Sequence, residues 1–254
     1  MKSFVIDEEN VSVYAEKIAA WIRGNVENAK RKGVVLGMSS GIDCSTVARL
    51  CQLAKVDIHL IMMPYGEDMA QTQSHQHAME LIDKFNFPYH IYDIKPAVDA
   101  LIIPTDLQTN INRSNIELSR ANIRPRVRMT YLYQFAQLND CFVSGTGNLA
   151  ERTVGYFTKW GDGACDFNPL AMLTKGEVRI LARYLGVPDC IINKKPSAGL
   201  WEGQTDEEEL GMTYNQIDAF ILNGTSGDTD VDAQIEQRIN FSTHKFAPTP
   251  IFEG

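Results

Sequence analysis

The sequence predicts an α/β fold in which a parallel sheet is covered by helices on both faces, giving three layers. Short continuous apolar runs alternate along the chain with segments whose apolar residues recur every three or four positions. That alternation is typical of strands and amphipathic helices in βαβ units. Continuous apolar runs also indicate strands that are buried on both faces. No linker divides the chain, so residues 1–254 are expected to form a single domain.

The first half of the chain is predicted to contain two successive strand–helix–strand units. An amphipathic helix comes first, with Val11, Tyr14, Ile18 and Ile22 on one face, and is expected to end near 32–33. The strands are then predicted at 34–38, 58–64 and 89–94, and the intervening helices carry apolar stripes at 47–54 and 78–85.

The middle of the chain has a weaker pattern. Residues 95–121 are less regular, and a helix is predicted from about Asn122, with Pro125 tolerated in its first turn. Another apolar run at 141–145 ends in small residues and is predicted to be a strand.

A capping box gives the clearest local signal in the last third of the chain. Thr174 and Glu177 have the required spacing and precede an apolar stripe, so a helix is expected to begin there. Residues 193–211 lack a convincing period, which favours a functional lid, and 206–209 is expected to be a solvated acidic run within it. Two more helices are predicted at about 213–222 and 230–240.

Composition narrows the classes of function. Lys plus Arg is 24 and Asp plus Glu is 32, a net charge of −8, which is the wrong sign for a protein that covers nucleic-acid phosphates. No apolar run approaches the roughly 20 residues that span a bilayer, so no membrane partner is expected. The five cysteines form no C-x-x-C pair, which is typical of reduced thiols and of a cytoplasmic protein.

A glycine- and serine-rich loop follows the first predicted strand and leads into a helix. Small residues, backbone N–H groups and a helix amino terminus together favour the binding of an anion over a simple polar turn. The loop lacks the lysine of a Walker A motif, and the chain has no G-x-G-x-x-G, so neither a P-loop ATPase nor a Rossmann dehydrogenase is supported. Its candidate phosphate-binding residues are Gly37, Met38, Ser39, Ser40, Gly41, Ile42, Asp43 and Cys44.

Several later motifs accompany the loop S-S-G-I-D-C. They are GTGNLAERTVGYFTKWGDG, PSAGLW followed by QTDE, and a terminal His-Lys. With these motifs the chain resembles the NAD synthetases, members of the N-type ATP pyrophosphatase family, whose S-G-G-x-D-S motif is similar to the loop. The resemblance spans roughly residues 10–250. It implies a Rossmann-like, adenine nucleotide alpha hydrolase-like fold.

The resemblance implies an ammonia-dependent NAD synthetase, which is a C–N ligase. Such an enzyme uses ATP to adenylate the nicotinate carboxylate of deamido-NAD, and ammonia then displaces AMP to give NAD. The chain is too short to include the glutaminase domain of the longer members, so free ammonia is the expected nitrogen source, and a separate protein that delivers ammonia is left open. A homodimer is also implied.

The resemblance also assigns candidate site residues. Besides the loop, the positions that match ATP contacts are Thr146, Lys175 and Ser197. The carboxylates that match the ligands of Mg²⁺ are Asp43 and Glu151. The positions that match deamido-NAD contacts are Arg126, Lys159, Asp166, His244 and Lys245. Positioning and charge stabilisation are expected to drive the reaction, so no covalent nucleophile is assigned.

Two residues of the loop depart from the family pattern. Ser40 stands where glycine is usual, and a Cβ there costs roughly 1 kcal/mol or more if the backbone needs a positive φ. Cys44 replaces a serine and supplies only a weak S–H donor. Ser40 and Ser45 offer replacement hydroxyl groups, so the expectation is a working site with altered ATP binding.

Other classes of protein explain less of the sequence. A catalytically silent nucleotide-binding protein would not need Asp43, Glu151 and Lys175 together. A GMP synthetase-like amidotransferase or a tRNA-thiolating enzyme is disfavoured by the acidic charge, the lack of C-x-x-C pairs and the GYFTKWGDG run. A flavodoxin-like module would account for the fold but not for the later motifs.

Overall fold

The sheet consists of four parallel strands in the order β3-β2-β1-β4, which confirms the predicted α/β class. The computed structural model describes residues 4–66, 72–104, 112–196 and 205–252. The strands are β1 (Gly33–Gly37), β2 (Asp57–Met62), β3 (Tyr89–Ile91) and β4 (Cys141–Val143). β1 is shifted by one residue from its predicted range. β2, β3 and β4 are one, three and two residues shorter than predicted.

Eleven α-helices lie in the described part of the chain. They are α1 (Val11–Asn28), α2 (Ile42–Leu53), α3 (Gln73–Phe85), α4 (Lys95–Ala100), α5 (Arg113–Asn139), α6 (Leu149–Thr153), α7 (Lys175–Tyr184), α8 (Asp189–Ile192), α9 (Asp206–Leu210), α10 (Tyr214–Asn223) and α11 (Thr229–Ser242). The helices predicted at 213–222 and 230–240 therefore correspond to α10 and α11.

The two faces of the sheet are covered by different helices. Val34 and Leu36 of β1 pack into a core with α1, α2, α3 and α7, whereas Val35 packs on the opposite face with α5. All three side chains are fully buried. A central parallel strand must be apolar on both faces, which explains the continuous apolar run in the sequence. The three-layer prediction is thus confirmed.

The order of the strands determines where the site lies. The chain leaves β1 through α2 to β2 on one side, whereas β4 pairs with β1 on the other side. The connections therefore diverge at the carboxyl end of β1. In open α/β sheets, ligands bind in the crevice outside the carboxyl ends of the strands at such a reversal. The predicted phosphate loop follows β1 at this position.

The prediction for α5 was wrong at its start. This helix begins at Arg113 and runs for 27 residues, so Pro125 lies in its interior and not in its first turn. Asn112 caps it by accepting a hydrogen bond from the backbone N–H of Ser114. The proline marked a helix start in the sequence because an interior proline removes a backbone hydrogen bond. Burial of Val127 and other residues of α5 against the sheet offsets that loss.

The expectation of irregular structure over 95–121 was also wrong in part. Residues Lys95–Ala100 form α4, with Pro96 in the first turn, where a missing N–H costs nothing. Val98 is the one buried residue of this short helix, so the helix leaves no apolar period in the sequence.

None of the helices in the described ranges is both long enough and apolar enough to cross a bilayer. All five cysteines are free thiols. Three of them are buried, as small apolar residues would be, namely Cys44, Cys51 and Cys141.

Two capping boxes provide a test of local stability. Thr174 at the start of α7 is 2% exposed and exchanges hydrogen bonds with Glu177. Thr213 makes the same motif with Gln216 at the exposed start of α10. We expect Thr174→Ala to lower the free energy of unfolding by about 2 kcal/mol and Thr213→Ala by about 0.5–1 kcal/mol, because only the first change leaves a buried carboxylate with fewer partners. Urea denaturation of both variants measures this difference, and equal losses would contradict it.

Candidate active site

The loop between β1 and α2 presents a helix amino terminus to a large cavity. Gly41 is the N-cap of α2 and has an extended backbone, and among the described residues no side-chain oxygen caps this helix. Gly41, Ile42 and Asp43 all line the cavity. The partial positive charge of the helix terminus suits a phosphate group.

Ser40 stands where the family usually has glycine, and its backbone is in the left-handed conformation that favours glycine. Its φ is +59°, and its side chain is fully buried. A residue with a Cβ in this conformation carries a strain of roughly 1–2 kcal/mol. The Oγ atom accepts a hydrogen bond of 3.1 Å from Nζ of Lys194, which partly offsets the strain.

Cys44 is used within the loop itself. Its Sγ atom lies 3.2 Å from the carbonyl oxygen of Gly41, 3.5 Å from Oγ of Ser39 and 3.7 Å from Sδ of Met38. The hydroxyl of Ser45 is buried and has no hydrogen-bond partner among the described residues. These contacts of the Cys44 thiol stabilise the loop conformation.

A charge centre formed by Asp43, Glu151 and Lys175 lies beside the loop. Nζ of Lys175 is 2.6 Å from Oδ2 of Asp43 and 3.4 Å from Oε1 of Glu151. The lysine side chain is 2% exposed, and the two carboxylates are 16% and 18% exposed. Residues that are distant in the sequence thus meet at one point, with two carboxylates for one ammonium group.

The groups of the charge centre influence one another. Burial alone would lower the pKa of Lys175, but the carboxylates of Asp43 and Glu151 outweigh burial and hold that pKa above its ordinary value. Burial and the adjacent Asp43 raise the pKa of Glu151 to about 7, against the opposing effect of Lys175. Lys175 pairs more closely with Asp43 than with Glu151, so the negative charge of Glu151 is the less compensated of the two.

Asn148 connects the two carboxylates. Its Nδ2 atom donates to Oδ1 of Asp43 at 3.0 Å, and its Oδ1 atom accepts the N–H of Glu151 at 3.0 Å. Oε2 of Glu151 in turn accepts the N–H of Asn148, which completes a capping box at the start of α6. Asn148 is not among the predicted site residues, although the N-x-x-E spacing in GTGNLAE is a capping signal.

A tyrosine and an aspartate support the charge centre from α9 and α10. The hydroxyl of Tyr214 lies 2.9 Å from Oδ2 of Asp206 and 3.4 Å from Oε1 of Glu151. Asp206 is only 5% exposed, so the prediction of a solvated acidic run at 206–209 was wrong at this residue. Its carboxylate also accepts a hydrogen bond from the hydroxyl of Tyr156. Tertiary hydrogen bonds from two tyrosines stabilise a charge that the local sequence presents as exposed.

One cavity of about 1200 Å³ is lined by most of the residues predicted to contact ligands, but not by Ser40, which is fully buried, or by Asp166. Of the residues predicted to contact ATP or Mg²⁺, those that line it are Gly37, Met38, Ser39, Gly41, Ile42, Asp43, Cys44, Thr146, Glu151 and Lys175. Of the residues predicted to contact deamido-NAD, those that line it are Arg126, Lys159, His244 and Lys245. Ser197 lies outside the described residues.

Lys159 and Lys245 form a cationic wall of this cavity, and their hydrogen bonds join two distant segments. Nζ of Lys159 donates to the carbonyl oxygen of His244 at 2.7 Å. Nζ of Lys245 donates to the carbonyl oxygens of Gly155 and Phe157 at 2.7 and 2.6 Å. These bonds attach the segment after α11 to the loop after α6. Both ammonium groups donate to neutral carbonyl groups, and the carboxylate of Asp162 opposes the lowering of the Lys245 pKa by burial.

Asp166 is placed differently from the other predicted contacts. It does not line the cavity, and its carboxylate accepts hydrogen bonds from the N–H of Val143 at 2.7 Å and from the hydroxyl of Tyr133 at 3.3 Å. Asp162 lines the cavity instead, where its carboxylate accepts the N–H of Thr158 and burial raises its pKa. Nothing in the sequence distinguishes Asp162 from other loop carboxylates.

Comparisons with known proteins identify the family of this chain. A profile of the NAD synthase family matches residues 14–248. The NH(3)-dependent NAD(+) synthetase of Finegoldia magna is 39% identical over 237 residues, which are 93% of this chain and 94% of that protein.

Two solved structures share the fold over nearly the whole chain. The NMN synthetase of Francisella tularensis superimposes with a TM-score of 0.86 at 38% identity and covers 95% of this chain and 99% of its own. The NH3-dependent NAD synthetase of Campylobacter jejuni gives a TM-score of 0.76 at 30% identity, with coverages of 98% and 100%. The chain therefore belongs to the NAD synthase family and, like its NH(3)-dependent relatives, is a ligase.

Proposed function

We propose that this cavity amidates deamido-NAD with ammonia and ATP, with ATP at the phosphate loop and deamido-NAD along the cationic wall. One observation carries the assignment of sites: the loop, the charge centre and the cationic wall all line the same cavity. Two anionic substrates can therefore meet between them without either one leaving the protein. Holding both reactants in one geometry accounts for a large part of such a rate enhancement.

In the first step, an oxygen of the nicotinate carboxylate attacks the α-phosphorus of ATP. The new O–P bond forms while the bond from the α-phosphorus to the bridging oxygen breaks, and pyrophosphate leaves with the electron pair. The amino terminus of α2 and the ammonium of Lys175 are positioned to stabilise negative charge on these phosphates.

In the second step, the lone pair of ammonia attacks the carbonyl carbon of the acyl-adenylate. A C–N bond forms, the C–O bond to the phosphate breaks, AMP leaves, and one proton passes to water. The chain needs no nucleophile of its own for either step. Its contribution is to orient the two substrates and to keep the acyl-adenylate in the cavity.

Asp43 and Glu151 fit the role of Mg²⁺ ligands. Both carboxylates reach the same ammonium group, at 2.6 and 3.4 Å, so their oxygens converge on one small volume. Mg²⁺ is usually bound in proteins through one or two carboxylates together with substrate phosphates. When bound, the ion would neutralise charge on the departing pyrophosphate.

We also propose that the protein is a homodimer and that it is located in the cytoplasm. Leu118 and Phe241 are 53% and 82% exposed, and both line the cavity. Exposed apolar side chains at the edge of a site support a homodimer whose interface lies near the bound deamido-NAD. Light scattering during gel filtration measures the molecular mass of the protein in solution and so distinguishes a dimer from a monomer. The free thiols of all five cysteines support a cytoplasmic location.

The direct test follows NAD formation from deamido-NAD, ATP, Mg²⁺ and ammonium, with an alcohol dehydrogenase readout. We expect NAD only when all four are present, together with one AMP and one pyrophosphate per NAD. Formation of ADP instead of AMP would contradict the acyl-adenylate route. No NAD from a folded protein that binds deamido-NAD would favour the silent nucleotide-binding alternative.

A second candidate substrate is nicotinate mononucleotide, which would yield NMN. The observation that favours it is the fit to the NMN synthetase, with a TM-score of 0.86 against 0.76 for the C. jejuni NAD synthetase. The chemistry at the carboxylate is the same for both substrates, and a cationic wall suits either phosphate group.

We expect kcat/KM for deamido-NAD to exceed that for the mononucleotide by at least about tenfold, because the adenosine half adds contacts that help to position the carboxylate. Parallel assays with both substrates, with AMP release as a common readout, measure the ratio. A ratio below one would assign the chain to the synthesis of NMN.

A further inference from the structure

Lys194 connects the phosphate loop to two other segments. It follows α8, and its Nζ atom donates to Oγ of Ser40 at 3.1 Å and to Oγ of Ser74 at 2.9 Å. Lys194 lines the same cavity as the loop and Lys175. An ammonium group from outside the loop is thus held against the residue with the strained backbone.

The charge of Lys194 is not balanced by its partners. Both hydrogen-bond acceptors are neutral hydroxyl groups, and within the described ranges no carboxylate pairs with this lysine. Burial lowers the pKa of Lys194, and the ionisable groups that oppose the shift are the thiols of Cys44 and Cys190. Lys175 differs in this respect, because two carboxylates face it. A partly buried cation with neutral partners favours the arrival of an anion.

Ser40 gives this lysine a fixed position. Its left-handed backbone would be unstrained as glycine, but glycine would offer no hydroxyl to Lys194. Serine at this position therefore strains the backbone, but it supplies a hydrogen bond that holds the ammonium of Lys194 beside the loop. Ser74, near the start of α3, holds the same ammonium from a second element.

The charge centre alone supplies little positive charge to a polyphosphate. It holds two carboxylates for one ammonium, whereas ATP brings several negative charges to the same place. The loop itself contains no lysine or arginine. We propose that Lys194, held by Ser40 and Ser74, is a further phosphate-binding residue that contacts the phosphates released as pyrophosphate. This rests on the proposed function only in that ATP binds at the loop.

Inorganic pyrophosphate is the probe that tests the proposal, by titration calorimetry with the full-length protein. We expect Lys194→Gln to weaken pyrophosphate binding and to raise the KM for ATP at least about tenfold, which corresponds to one lost charged contact. The KM for deamido-NAD should stay within about twofold of its original value. Lys194→Arg keeps the charge and should recover part of the affinity.

Lys195→Gln is the matched control, because it removes the same charge from the adjacent, exposed position, which also lines the cavity but does not hold the hydrogen bonds to Ser40 and Ser74. Its effect on pyrophosphate binding should be below about threefold, as for other exposed charges. Equal effects of the two variants would reduce the role of Lys194 to general electrostatics and overturn the proposal. Unchanged binding by Lys194→Gln would overturn it as well.

A second variant, and pyrophosphate binding by the unaltered protein, also test the proposal. If Lys194→Gln does not fold, Ser74→Ala replaces it. This exposed change removes one hydroxyl from Lys194 and should weaken pyrophosphate binding by roughly threefold. An unchanged affinity in Ser74→Ala would then count against the proposal. If the unaltered protein binds pyrophosphate but forms no NAD, the proposed function fails while Lys194 is still tested. If it binds no pyrophosphate, the inference fails.

Discussion

Lys175→Met is expected to lower kcat for amidation by roughly 100- to 1000-fold and to raise the KM for ATP. The substitution removes the ammonium that lies 2.6 Å from Asp43 and 3.4 Å from Glu151. The two carboxylates would then remain side by side without a counter-charge, facing the phosphates of ATP. Repulsion of the substrate and loss of charge stabilisation during the departure of pyrophosphate both act in the same direction.

Steady-state kinetics with varied ATP measure the effect, and thermal unfolding shows whether the variant is folded. Lys84→Met is the matched control, because Nζ of Lys84 donates to the carbonyl oxygen of Gly186 at the surface and away from the cavity. That variant should keep its activity within about twofold. If Lys175→Met retained a third of the original kcat, the role of the charge centre in catalysis would be wrong.

The sequence predicts the fold well where local and global signals agree. The apolar run of β1, the small residues of the loop and the apolar stripe of α2 all indicate the same strand–loop–helix unit, and the structure contains it. The capping box at Thr174 likewise predicts the start of α7 at Lys175. Lys175 is therefore positioned by a signal that can be read from the local sequence alone.

The parts that could not be predicted depend on contacts between distant residues. Asp206 resembles a solvated carboxylate because its neighbours are acidic, yet the hydroxyl groups of Tyr156 and Tyr214 allow it to be buried. Lys194 has no local signal, since its partners lie 154 and 120 residues away. Pro125 misled the prediction because tertiary packing stabilises a helix that local propensity would end.

Glu151→Gln is expected to raise the Mg²⁺ concentration for half-maximal activity by at least about tenfold and to lower kcat by roughly 100-fold. Glutamine has nearly the same size and can still accept the N–H of Asn148, so the capping box of α6 should survive. The change removes a negative charge, 3.4 Å from Nζ of Lys175, that we propose binds Mg²⁺ together with Asp43. The loss should therefore appear in metal dependence and not in stability.

Activity is measured over a range of Mg²⁺ at saturating ATP and deamido-NAD, at a pH above 8. Burial and Asp43 raise the pKa of Glu151 to about 7, so its carboxylate is ionised at this pH. The Glu151→Gln variant is then compared with a fully charged carboxylate. Glu209→Gln is the control, since Glu209 lines the same cavity but accepts a hydrogen bond from Tyr156 and does not reach Lys175. An unchanged Mg²⁺ requirement in Glu151→Gln would show that this carboxylate does not bind the ion, and Asp43 would be left as its single protein ligand among the residues assigned here.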